Sequence, residues 1–167
     1  MAGPVFAKSL RNTRGGHTKG EVTFETPEEA ARAGTPAEYV RVVGVVVRGD
    51  VAVVAQVMNA DGYPVAYEIE TATCYRERGG WVCGSSGNGD VASIPTGGDC
   101  ATVVYWCEAP SGAVAGRFRL ADQERVVPVE DGFAFAVFDE IRAGSDGWSF
   151  DWPALAEWLW SDDARST

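Results

Sequence analysis

The sequence predicts a mostly β fold of the α+β kind, with a short N-terminal helix on an antiparallel sheet packed against a small Ig-like β-sandwich. Three observations carry that reading. Residues 40–47 and Val51–Met58 are β-branched runs on either side of Gly49-Asp50, a hairpin signal. From Cys100 onward, short apolar segments recur at even spacing with turn chemistry between them. One segment, after Thr26, carries a complete helix-start signal.

Taken in order, residues 1–20 hold Lys8, Arg11, Arg14 and Lys19 and no acid, a basic Gly-rich arm of charge +4. The remaining body sets ten arginines against all 24 acids and carries −14, within a net charge of −10. The arm is expected to be a disordered leader. Thr26 then caps a helix with Pro27 in its first position and Glu29 completing a capping box, and Gly34 and Pro36 end it after about two turns. In the valine hairpin, Val46 is set opposite Val53 and Val42 opposite Val57 on one face, with Val45 opposite Val54 and Val47 opposite Ala52 on the other. Both faces are apolar, so both need cover, the helix on one and the second half of the chain on the other.

Residues 65–75 and 81–84 predict a third and a fourth strand after the turn at 59–64, and residues 84–99 a long loop with five glycines and Pro95. Around a turn at Arg78-Gly79, residues whose numbers sum to 157 face one another, which sets Cys74 opposite Cys83. The first reading of the four cysteines is buried thiols in a reducing compartment, with a cross-strand redox pair as the alternative. No C-x-x-C spacing marks a zinc site. Strands follow at 100–108, 114–120, 124–129 and 133–138, with Val114, Phe118 and Leu120 inward and Arg117 and Arg119 outward. In the tail, Trp148-Ser149-Phe150 reads as a last strand. Asp151 caps a short helix there that sets Leu155, Trp158 and Leu159 on one face. The expected organisation is arm 1–20, helix and sheet 21–99, and sandwich-like half 100–167, the last two compatible with one continuous domain.

Several chemistries are poorly served by these residues. The only histidine, His17, lies in the arm, so a His-dependent triad has no base. Gly84-Ser85-Ser86-Gly87-Asn88 places Asn88 where a nucleophile elbow needs glycine. The same stretch lacks the lysine of a phosphate loop and precedes Asp90 and Asp99. Asp139-Glu140 and Glu68/Glu70 are carboxylate pairs that stand out only because acids are abundant, Glu68 and Glu70 sharing a predicted solvated face, and Asn59-Ala60-Asp61-Gly62 is too short a fragment of a calcium loop. The acidic body repels phosphate backbones, no apolar run reaches the ~20 residues of a membrane span, and the N-terminus lacks a secretory core. A cytoplasmic location follows as the expectation.

Two features remain as site candidates. Gly84, Ser85, Ser86, Gly87, Asn88, Gly89 and Asp90 form a small-residue stretch able to corner the chain or cradle a ligand. Trp152, Trp158 and Trp160, in a tail that holds four of the six tryptophans, suit a protein interface or sheet cover.

The segment from Gly80 to Gly89 resembles one found in small bacterial proteins that carry a Pro-Glu-Glu-Ala-Ala helix, Val-rich strands, this glycine stretch and a W-x-E-A-P-like segment. The matching pieces here are Pro27-Glu28-Glu29-Ala30-Ala31, Arg41-Val42-Val43 and Trp106-Cys107-Glu108-Ala109-Pro110, so the resemblance spans roughly residues 25–140. It implies a family hallmark at the glycine stretch and no activity. The function expected from the residues is a non-enzymatic binding or protein-interaction module. It needs no cofactor or metal, and its partner is a protein, a small molecule or a second copy of the chain. The alternatives are an enzyme or ligand binder using residues 84–90 with Asp90, Asp99 or a reactive cysteine, and an acidic decoy for a nucleic-acid-binding protein.

Overall fold

The computed structural model describes residues 22–33, 35–58, 68–88, 90–144 and 153–162, with the backbone alone for residues 68 and 85–88. The arm, Gly34, the 59–64 turn, Gly89, the Trp148-Ser149-Phe150 strand, Asp151 and Trp152 lie outside those residues. The chain divides into two compact units, Met1–Asn88 and Gly89–Thr167.

In the first unit, helix α1 (Pro27–Ala31) starts as its sequence requires. Thr26 is extended, and its hydroxyl accepts the Glu29 amide at 3.2 Å. The helix has five residues rather than two turns, because the chain tightens at once into three-residue turns, Ala33 N–H to Ala30 O and Thr35 N–H to Arg32 O. A single 3₁₀ turn, Ala37–Tyr39, then leads into the sheet.

Strands β1 (Val40–Arg48), β2 (Val51–Met58), β3 (Glu68–Glu77) and β4 (Gly80–Asn88) form an antiparallel sheet in that order. The valine hairpin turns at Gly49, φ +60°, with Val46 opposite Val53, Val45 opposite Val54 and Val47 opposite Ala52. Val42, however, lies opposite Gln56 and not Val57, because a bulge between Val42 and Gly44 advances β1 by one residue. The bulge moves Val42 to the helix side, where Ala30, Ala52, Val54, Ala72, Cys74 and Trp81 form the core beneath α1. On the other face of β2, Val53, Ala55 and Val57 are also fully buried.

Gln56 interrupts this apolar strand at 0% exposure. Its amide nitrogen donates to the Glu70 carboxylate at 3.0 Å and to the Ala31 carbonyl at 3.4 Å. Turning the amide over would set its oxygen against both acceptors, so Oε1 points away, and among the described residues no donor reaches it.

The second unit holds β5 (Val91–Gly97), β6 (Cys100–Glu108), β7 (Ala113–Leu120), β8 (Gln123–Glu130), β9 (Phe133–Arg142) and β10 (Ala154–Trp160). They make one six-stranded antiparallel sheet in the order β10-β7-β8-β9-β6-β5. The sheet curls: Tyr105 of β6 meets Phe118 of β7 edge-on at 5.4 Å, although β8 and β9 lie between them in the ladder. Val103, Phe118, Leu120, Ala136 and Phe138 fill the concave side. Tight turns join the hairpins, with Asp131 and Gly132 both at positive φ, as a type I′ turn requires.

Three expectations change here. Val114 is exposed, and Ala113 and Ala115 are buried in its place. Pro95 lies within β5, which as an edge strand can spare a backbone donor. Residues 154–160 are a strand paired with β7, not a helix. A bulge between Leu155 and Glu157 brings Leu155 and Trp158, three residues apart, against the same core, and that spacing mimics a helical face.

Candidate functional site

The hairpin of β3 and β4 gathers most of the residues singled out by the sequence. Gly79, at φ +95°, turns the chain, and the register runs Glu77 to Gly80, Arg76 to Trp81, Tyr75 to Val82 and Cys74 to Cys83. There the ladder shifts by one residue, so that Thr73 pairs with Ser85, Ala72 with Ser86, Thr71 with Gly87 and Glu70 with Asn88. Gly84 is the extra residue of the bulge, and the Tyr75 ring lies 3.5 Å from where its Cβ would be.

The glycine stretch is therefore strand and not a loop up to Asn88, since pairing along β3 outweighs the weak strand preference of Gly and Ser. Gly84, Ser85, Ser86, Gly87 and Asn88 run in line along a sheet edge and do not fold back into a cradle. Gly89 lies outside the described residues, and Asp90 is an exposed bend whose carbonyl accepts the Trp106 amide at 2.9 Å.

Cys74 and Cys83 are joined in a disulfide, which corrects the reading of separate thiols. The register sets them directly opposite, next to the bulge, with their Cα atoms 3.9 Å apart. Both sulfurs lie near the Pro27 carbonyl oxygen, at 3.6 and 3.8 Å, which ties the cross-link to the floor beneath α1.

The free thiols are Cys100 and Cys107, both half-buried. Burial pushes the Cys107 thiol up to about 11, against a lowering hydrogen bond from Tyr105 and with a further push from Asp90. Tyr105 itself is driven to about 12, first by burial and then by Cys107 and Asp90. A thiol held in that state is not an activated nucleophile at neutral pH. Cys83 has no free thiol at all.

The remaining candidates are scattered. Asp139 accepts from the Thr102 hydroxyl at 2.6 Å, Glu140 is held at φ +58°, and Glu70 accepts from Gln56. Among the described residues, no three His, Cys, Asp or Glu side chains converge as a metal site. None of their helices is long and apolar enough to cross a membrane. In the tail, Trp158 is half-buried and packs edge-on to Phe118 at 6.3 Å, while Trp160 is 44% exposed beside Gly112. Arg117, Glu124, Arg119 and Glu157 link β7, β8 and β10 by surface ion pairs of 2.7–3.2 Å, and the Arg119 bond chiefly lowers the Glu124 carboxyl pKa.

One arrangement went unnoticed in the sequence. Arg76 lies over the Trp81 ring, 5.1 Å from its centroid, and with Glu25, Gly79 and Gly80 the two line a groove of about 340 Å³. Val22 to Glu25 passes along this wall. Phe24 exchanges two backbone hydrogen bonds with Trp81, at 3.0 and 2.7 Å, at the start of the outer edge of β4. The signal was available, because the register that pairs Cys74 with Cys83 also pairs Arg76 with Trp81. Comparison with protein-family models, curated proteins and solved structures gives no match.

Proposed function

We propose that the chain is a non-enzymatic binding module that takes an extended segment of a protein partner along the outer edge of β4. One observation carries this reading: β4 is the sheet edge without a blocking residue. Of the edge strands, β1 carries Arg41 and Arg48, β5 carries Pro95 and β10 carries Glu157; bulges do not separate them, since β4 has one at Gly84 as β1 and β10 have theirs. From Gly80 to Asn88, β4 has neither charge nor proline, in a chain that is 23% charged. Charges and prolines are the usual means by which edges refuse further strands, and strand addition is a common mode of peptide recognition.

The Phe24–Trp81 bridge supports the same reading, since the edge already accepts main-chain pairing at its first position. Small side chains at Gly84, Ser85, Ser86 and Gly87 leave the backbone approachable, which gives the glycine stretch a role as a rail. The Ig-like half serves in this reading as an antiparallel framework, and the acidic body keeps nucleic acids away.

The test is to select extended peptides on the oxidised protein and to map them by amide hydrogen exchange. The expected binders protect amides between residues 82 and 88, and Ser86→Lys weakens them about tenfold or more while the melting temperature holds. Binders that protect a different surface, or that bind Ser86→Lys unchanged, would overturn the proposal.

A further inference from the structure

We propose that the groove at the hairpin end of β3 and β4 is a separate binding site for a carboxylate group, with Arg76 as its anion-binding residue. The proposal stands apart from the β4 edge reading and rests on different atoms. Arg76 is the register partner of Trp81, and its guanidinium carbon sits 5.1 Å from the ring centroid. Trp81 is 3% exposed and belongs to the core under α1, so the ring is a fixed surface and not a mobile one. Lying over that surface limits where the guanidinium can go. Among the described residues, no carboxylate lies within ion-pair distance of Arg76. An exposed arginine over a fixed ring and beside a groove, with no carboxylate partner among the described residues, offers a fork to a planar anion.

The walls fit a small ligand. Gly79 and Gly80 contribute no side chains, and a Cβ on Gly80 would fall 2.6 Å from the Phe24 carbonyl oxygen, so glycine is needed for the Val22–Glu25 wall to pass so close. At about 340 Å³, the groove is at the small end of ligand pockets. Glu25, which also lines the groove, sets the charge limit: its carboxylate repels a dianion such as phosphate more strongly than a monoanion paired with Arg76. A carboxylate also matches the two parallel N–H donors of a guanidinium better than a sphere of charge does.

The test follows the Arg76 Nε–H and Trp81 indole N–H resonances of the whole oxidised chain as sodium propionate is added at constant ionic strength, with sodium chloride and inorganic phosphate as parallel titrations. Propionate is expected to give saturable shifts with a dissociation constant of roughly 10–100 mM, as a charge-assisted bidentate pair allows. Phosphate should bind more weakly and chloride should not saturate. Arg76→Gln should abolish the indole response, and Arg76→Lys should weaken binding about tenfold by removing the planar fork. The Phe24 and Trp81 amide resonances report that the wall is intact in each variant. Equal responses to propionate and chloride, or propionate binding unchanged in either variant, would overturn the assignment.

Discussion

Gly80→Ala is the sharpest probe of how the N-terminal segment is held to β4. A Cβ at that position would lie 2.6 Å from the Phe24 carbonyl oxygen, 2.7 Å from the Thr23 Cβ and 2.8 Å from the Thr23 hydroxyl. Two of those neighbours cannot rotate away, so the Val22–Glu25 segment must move off the edge. The move breaks the two Phe24–Trp81 backbone hydrogen bonds, each contributing about 0.5–1.5 kcal/mol net. Together with the partly buried Phe24 ring, the loss comes to about 2 kcal/mol. Hydrogen exchange at the Trp81 amide reads this directly, because about 2 kcal/mol corresponds to roughly thirtyfold faster exchange. Gly84→Ala is the control: its Cβ would meet the Tyr75 ring at an ordinary 3.5 Å, and exchange at Trp81 should be unchanged. If Gly80→Ala leaves Trp81 protection and the urea midpoint where they were, the wall yields without cost and the close-approach argument fails.

Three further outcomes are expected. Replacing Cys74 and Cys83 together by Ala opens a loop of sequence separation 9 and should cost about 2.5 kcal/mol in guanidinium unfolding; a loss below ~1 kcal/mol would show that the cross-link adds little. Val53→Asp strands a charge at a fully buried site and should abolish cooperative melting, at a cost of several kcal/mol, so a folded and soluble variant would contradict the burial of that face. Cys107 holds its proton in the folded chain to about pH 11, whereas an unfolded thiol releases it near 9; the fold binds more protons across that window, so its stability is intact below pH 9 and falls as pH rises toward 11. Urea midpoints between pH 8 and 11 should therefore fall more steeply for the native chain than for Cys107→Ser, and parallel curves would refute the linkage.

Much of the architecture was legible wherever side-chain chemistry and backbone preference agree. Thr26, Pro27 and Glu29 announce α1, and Gly49-Asp50 sets the register of Val46 on Val53. The sequence misled where a bulge moved the phase. Val42 sits one residue away from its expected partner because of the bulge in β1, and Leu155 and Trp158 imitate a helix because a bulge in β10 returns them to one face. Residues 84–88 read as loop because composition speaks for the residue alone, whereas β3 supplies the missing half of the ladder. At the site, Cys74 opposite Cys83 was foreseen and Arg76 on Trp81 was overlooked, although one register contains both.

Gln56 bears on why this chain settles on a single alignment of its strands. Ala52 to Val57 offers β3 a run of small and β-branched side chains that would pack almost as well after sliding by two positions, since every residue would keep its face. Gln56 tells the alignments apart. Slid by two, its amide would leave both the Glu70 carboxylate and the Ala31 carbonyl, and two donors would be buried without acceptors at about 1–3 kcal/mol each. The buried amide thus acts as an index mark on an otherwise degenerate ruler.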